Sequence, residues 1–197
     1  NSSSEIVGGN NFVNESGAFI VGTSNTFVTI SGNIDNSGVI ESDSGTLNVS
    51  ASTWTCSSGV VVFRTTASNA IISISSSLTI PPNTTNIFEG PGPVQLQNGA
   101  AIQGNAFVGV STAGPNGQPI KPKIPIVDPG ILQFASTMSG TGTVEVVSLP
   151  GTPSVLLANS NLSCTINGMA ITIDSGGQFN ISFNSSGSSL SLGGTTI

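Results

Sequence analysis

The chain has no histidine and no tyrosine, and its only basic residues are Arg64, Lys121 and Lys123. Without imidazole it lacks the side chain that moves protons near neutral pH and the commonest transition-metal ligand. With three cations in 197 residues there is no basic surface to neutralise a phosphate backbone, so nucleic acid is not an expected partner. The acidic side carries nine residues, for a net charge of -6 and a pI near 4.1. No apolar run is longer than one such as Val60-Val61-Val62-Phe63, far short of the roughly 20 residues that span a bilayer, so no membrane insertion is expected. A helical period is missing as well. With so few reactive side chains, no enzyme activity, cofactor or metal is expected, and function falls to shape and surface.

What fills the chain instead is Ser, Thr, Asn and Gly between apolar residues. At 37% hydrophobic and a mean hydropathy of +0.27, this is too apolar for a disordered Ser/Asn-rich chain. The length predicts a single domain over 1–197 with a substantial core. The first residue is Asn1, as expected after removal of a secretion signal, although the start of a fragment would look the same.

Three segments begin 21 residues apart: Ser16-Gly17-Ala18-Phe19-Ile20, Ser37-Gly38-Val39-Ile40-Glu41 and Ser58-Gly59-Val60-Val61-Val62. Each is followed by a second strand-like run: Asn25 to Ile30, Gly45 to Val49 and Asn69 to Ile74. A constant period aligns Phe19 with Ile40 and Val61, and Val28 with Val49 and Ala70. Repeats of about 20 residues mark solenoids, in which each coil of short strands buries its apolar side only against its neighbours. Alternation separates the faces, with Leu47 and Val49 pointing one way and Asn48 and Ser50 the other. Similar runs return at Gly142–Val146 and Gly177–Phe183.

The predicted fold is therefore all-β: a β-solenoid of the parallel β-helix kind with an irregular Pro-rich middle. The repeat occupies 10–80, a Pro/Gly-rich crossover or arm 81–130, and a C-terminal β region 131–197. Pro81, Pro82, Pro91, Pro93 and the cluster Pro115, Pro119, Pro122, Pro125 and Pro129 carry the middle boundary, because proline is excluded from interior strands. The alternative is an antiparallel β-sandwich or jelly roll completed by a strand from a neighbour.

The run Asn33-Ile34-Asp35-Asn36-Ser37-Gly38-Val39-Ile40-Glu41, followed by Ser44-Gly45-Thr46-Leu47-Asn48-Val49, resembles the coils of parallel β-helix surface proteins of the haemagglutinin and autotransporter-passenger type. The resemblance covers about residues 10–75 and implies a secreted or surface-exposed adhesin or stalk with no catalytic residues to carry over. The composition is also similar to that of strand-donating subunits of secreted filaments.

Cys56 follows Trp54 on one strand face, and Cys164 lies between Leu162 and Ile166 on another. In a secreted chain two inward cysteines read most simply as one disulfide, with two buried thiols as the alternative. A straight solenoid would place the two residues several coils apart, so a bridge would favour the sandwich or a folded-back solenoid. Asn-X-Ser/Thr triplets offer glycosylation acceptors at Asn1, Asn14, Asn48, Asn83, Asn161, Asn180 and Asn184. Asp35, Glu41 and Asp43 raise a calcium site, and the simpler reading is three charges on a wet face.

Soluble β proteins guard sheet edges with lysine, inward charge or proline, and this chain has few such guards. The expectation is an extracellular, cell-surface structural subunit whose partners are copies of itself. It would form a fibre or filament by sheet-edge completion and end-to-end apolar contact, with 1–13 or 184–197 as connectors. The second reading is an adhesin or viral or phage fibre domain that binds surface glycans. A third is a polysaccharide-acting β-helix enzyme.

Overall fold

The protein is described here from a computed structural model, which covers residues 4–23, 27–55, 59–109, 129–147, 153–160, 164–183 and 189–197. Among them the chain is all strand and turn, without helix. The first three coils carry two strands each: β1 (Ser4–Asn14) and β2 (Phe19–Gly22), β3 (Phe27–Asn36) and β4 (Val39–Ser42), β5 (Gly45–Thr55) and β6 (Val60–Thr65). The next four coils carry three strands each. These are β7 (Ala70–Ile74), β8 (Leu78–Ile80) and β9 (Thr85–Glu89), then β10 (Pro93–Leu96), β11 (Ala100–Ile102) and β12 (Asn105–Val108). After them come β13 (Ile131–Phe134), β14 (Thr137–Ser139) and β15 (Thr143–Val146). The last two coils hold β16 (Val155–Ser160), β17 (Cys164–Asn167) and β18 (Ala170–Ile173), then β19 (Gln178–Phe183) and β20 (Leu190–Gly193).

Among the described residues every strand pairing is parallel, and the three sheets run in strict chain order along the stack. The eight-stranded sheet is β1-β3-β5-β7-β10-β13-β16-β19, the seven-stranded sheet β2-β4-β6-β9-β12-β15-β18, and the five-stranded sheet β8-β11-β14-β17-β20. This is a β-solenoid, and the sandwich alternative does not describe it. Alternation does the work at each rung: β7 and β8 bury Ala70, Ile72, Ile74, Leu78 and Ile80 and leave Ile71, Ser73 and Thr79 outside. The buried set is one continuous core running the length of the stack, from Ile20 to Ile171. At its centre Phe63 stacks on Phe88 with centroids 5.3 Å apart and lies 5.6 Å from the Trp54 ring.

The register corrects the constant 21-residue alignment. Ile40 sits between Ile20 and Phe63, and Phe88 follows Phe63 on the next rung. Val49 sits between Ile30 and Ile74. The interval from Ile20 to Ile40 is 20 residues, and that from Phe63 to Phe88 is 25. Corner length changes from coil to coil while the rungs stay in phase. Because side chains alternate with period two, an error of one residue moves Phe19 from the core to the surface, where it is 57% exposed.

The irregular middle also begins later than residue 81. β9 to β12 continue the coils through Val108, and the prolines of that stretch sit at corners. Pro81 accepts a hydrogen bond from the Thr84 amide at the turn before β9, and Pro93 is the first residue of β10, a position where its missing N–H costs no interior pairing. The turn at Pro81 also places Asn83 at φ 64, a left-handed conformation that asparagine tolerates. Residues 110–128 of the proposed arm, with both lysines, lie outside the described residues.

Candidate functional site

Three features of this stack bear on function: its two terminal coils, the charged column on the seven-stranded sheet, and the outer face of the eight-stranded sheet, which is uncharged from β5 onward.

At the C-terminal coil the core is open. Ile181 pairs in register with Ala158, and Leu192 with Ile166, so both continue columns whose previous members are fully buried. Nothing among the described residues stacks on them, and they are 55% and 46% exposed. Ile197, which follows the Thr196 bridge to Ala170, is 58% exposed, while Phe179 and Leu190 are only partly buried against the core. At the first coil Val13, Phe19 and Val21 are 56%, 57% and 41% exposed. Among the described residues, six of the seven exposed large hydrophobic side chains thus belong to the two terminal coils, the exception being Val60 on β6.

The segments expected to act as connectors are rungs of their own solenoid. β1 pairs with β3, β20 pairs with β17, and Thr196 bridges Ala170. The described parts of 1–13 and 184–197 are held by this same chain, and so their order needs no neighbour to hold them.

The acids do not converge on a metal site among the described residues. Glu41, Arg64 and Glu89 occupy three successive rungs in direct register. Arg64 donates from Nε to Glu89 Oε1 at 2.5 Å and from Nη1 to Glu41 Oε2 at 3.2 Å. The Arg64 side chain is 35% exposed, and those of Glu41 and Glu89 are 16% and 10%. Burial pulls the guanidinium pKa down, but the bonds and charges of Glu89 and then Glu41 outweigh it and hold the group above its ordinary value. Asp43 accepts from the Thr66 hydroxyl at 2.9 Å, and Asp35 lies half-buried at the end of β3. The sequence offered Arg64 no partner, because Glu89 is 25 residues away and adjacent only through the coil.

Removing Arg64 leaves two partly buried carboxylates, two rungs apart, without the counter-charge between them. Breaking a fully buried pair costs about 3–5 kcal/mol; with a third of Arg64 in water, Arg64→Ala should cost about 2 kcal/mol. Chemical denaturation checks this, and the triple change Arg64→Ala/Glu41→Gln/Glu89→Gln should recover much of the loss.

Further along the same sheet, Glu145 has its pKa raised, first by burial and then by the charge of Asp174. A carboxyl raised on folding favours the folded state below its unfolded pKa, and that advantage is lost as pH rises through the folded value. Glu145→Gln should therefore raise the melting temperature at pH 7, with the gain vanishing once the solution is acidic enough to protonate the glutamate in both states. Melting curves across pH 3–7 test the sign.

The glycosylation triplets separate by accessibility. Asn14 is 3% exposed, and its Nδ2, the atom a glycan would occupy, donates to Asn36 Oδ1 at 2.6 Å and to the Val39 carbonyl at 3.2 Å. Asn48 is half-buried and accepts from Ser75. Asn83 and Asn180 are exposed. Asn1, Asn161 and Asn184 lie outside the described residues, as does Cys56. Cys164 is fully buried, its Sγ 3.9 Å from the Phe134 carbonyl oxygen. The strand leading to position 56, β5, lies four rungs from β16, the strand that precedes Cys164, a rise of about 19 Å at ~4.8 Å per rung.

Comparison with protein-family models, with curated proteins and with solved structures gives no match for this chain.

Proposed function

We propose that this protein is an extracellular structural subunit that stacks end to end with copies of itself into a surface fibre. The observation that carries the reading is the open apolar core at the last coil, where Ile181 and Leu192 continue buried columns into solvent. A solenoid end requires either a polar cap or another coil. The same geometry would accept a following coil of the same polypeptide; the proposal commits to the first coil of a second copy.

Parallel pairing supports that choice. The two outer edges of a parallel stack present complementary N–H and C=O rows, so β19 of one copy has the polarity to add to β1 of the next. Such a contact joins two different surfaces, and repetition generates an open filament rather than a closed ring unless the rotation closes it. Charge on the described strands falls on the seven-stranded sheet, at Glu41, Arg64, Glu89 and Glu145, and on β1 and β3, at Glu5 and Asp35, while β19 and β20 of the last coil carry none. The extracellular setting rests on composition and on the accessible triplet at Asn83. In secreted material, glycopeptide mass spectrometry should find glycan at Asn83 and none at Asn14.

The deciding experiment is sedimentation of the purified chain over a range of concentrations, with electron microscopy of the same samples. Polymers that lengthen with concentration are expected. A discrete monomer or trimer at every concentration would overturn the fibre and favour the glycan-binding adhesin.

A further inference from the structure

We infer that the outer face of the eight-stranded sheet is a second contact surface, which packs against the same face of another copy and pairs fibres side by side. This rests on the end-to-end reading above and adds a contact that the coil ends do not involve.

Beyond its first two strands, β1 and β3, which carry Glu5 and Asp35, the face is uncharged. In β5, β7, β10, β13, β16 and β19 there is no Asp, Glu, Lys or Arg, in a chain whose net charge is -6. The seven-stranded sheet, by contrast, carries Glu41, Arg64, Glu89 and Glu145. Two copies bearing the same negative charge can therefore approach through the β5-to-β19 part of this face with little repulsion. The five-stranded sheet is also uncharged, but its strands are only three or four residues long.

The face is also ordered in stripes along the stack. One column reads Thr46, Ile71, Pro93, Ile131, Val155 and Gln178, of which the four apolar members are half-exposed. In the next column Asn48, Ser73, Gln95 and Gln133 follow one another on successive rungs. Gln95 Nε2 donates to Gln133 Oε1 at 3.3 Å, and Gln97 Nε2 donates to Gln95 Oε1 at 3.1 Å. Stacked amides beside a flat β-branched stripe, without charge, form the kind of surface that mates with its own copy as a dry interface. No aromatic ring stands in either column to stack on a sugar.

Size decides when the contact forms. Six rungs at ~4.8 Å and about five residues of strand give roughly 400 Å² of flat area per copy, against ~800 Å² for a stable pair of proteins. Single copies should associate only weakly through this face. A fibre repeats the contact at every subunit, and multivalency converts a weak contact into firm pairing.

The test is electron microscopy of fibres from the unaltered chain, from Gln95→Lys/Gln133→Lys, from Gln95→Glu/Gln133→Glu, and from an equal mixture of the two variants. The expected result is paired fibres for the unaltered chain, single fibres of unchanged length for each variant alone, and restored pairing in the mixture, where opposite charges meet. Restoration excludes misfolding as the cause. Single-width fibres from the unaltered chain, or pairing that persists in both variants, would overturn the inference. So would lysine and glutamate variants that lose only retention on a polysaccharide matrix, which would assign the face to glycans. If the unaltered chain forms no fibres, the end-to-end reading fails by itself. The face is then judged by sedimentation of concentrated monomer, where weak dimers lost in the lysine variant support it and their absence refutes it.

Discussion

Replacing Ile181 and Leu192 together by lysine should leave the protein folded and hold it as single particles at concentrations where the unaltered chain forms fibres. Both side chains are about half exposed in the isolated chain, so their loss costs little of its own core. In the fibre each would bury its remaining apolar surface against the next copy, worth about 1 kcal/mol apiece from the transfer scale. Two ammonium groups placed at the same contact add a desolvation penalty of several kcal/mol if they stay buried. Together these terms raise the concentration needed for polymerisation by at least about a hundredfold. Sedimentation reads the change directly, and circular dichroism confirms that the strands remain. Polymerisation at the original concentration would show that the C-terminal coil is not the contact.

The second large effect lies in the middle of the stack. Phe63→Ala should cost about 3–5 kcal/mol, the range for deleting a fully buried aromatic side chain that leaves a cavity. Phe63 has no exposed surface, stacks on Phe88 with an interplanar angle of 7°, and touches the Trp54 ring. Each coil of a solenoid is stabilised by its immediate neighbours, so the cavity weakens the junction between the early and late coils. Phe19→Ala is the matched control. Phe19 is 57% exposed, and its loss should shift stability by less than about 0.5 kcal/mol. Under the constant 21-residue alignment Phe19 would sit in the core column, so the pair of denaturation curves also tests the register.

That contrast shows how much of the molecule was legible beforehand. The alternation of Leu47 and Val49 against Asn48 and Ser50, with Gly and Pro punctuation, identified strands, inward faces and coils. The phase between coils was not legible, since it depends on corner lengths that vary between Ile20–Ile40 and Phe63–Phe88. Pro81 and Pro93 read as breaks because proline disrupts interior pairing, yet a coil needs breaks at every corner, and these two sit there. The inward phase of Ile181 was visible, whereas its exposure depends on what stacks above it, which no local pattern records. Glu89 was invisible as the partner of Arg64 for the same reason: rungs join residues that only the completed winding makes adjacent.

In a parallel stack the backbone hydrogen bonds lie along the long axis. A pull between the two ends would stretch these ladders in series, rung after rung, so compliance adds up with the number of coils. Tension would open one interface at a time, and the coil that parted could close again on its unchanged neighbour. A thread wound in this way yields by stretching like a spring, and it gives first where a rung has the least beneath it.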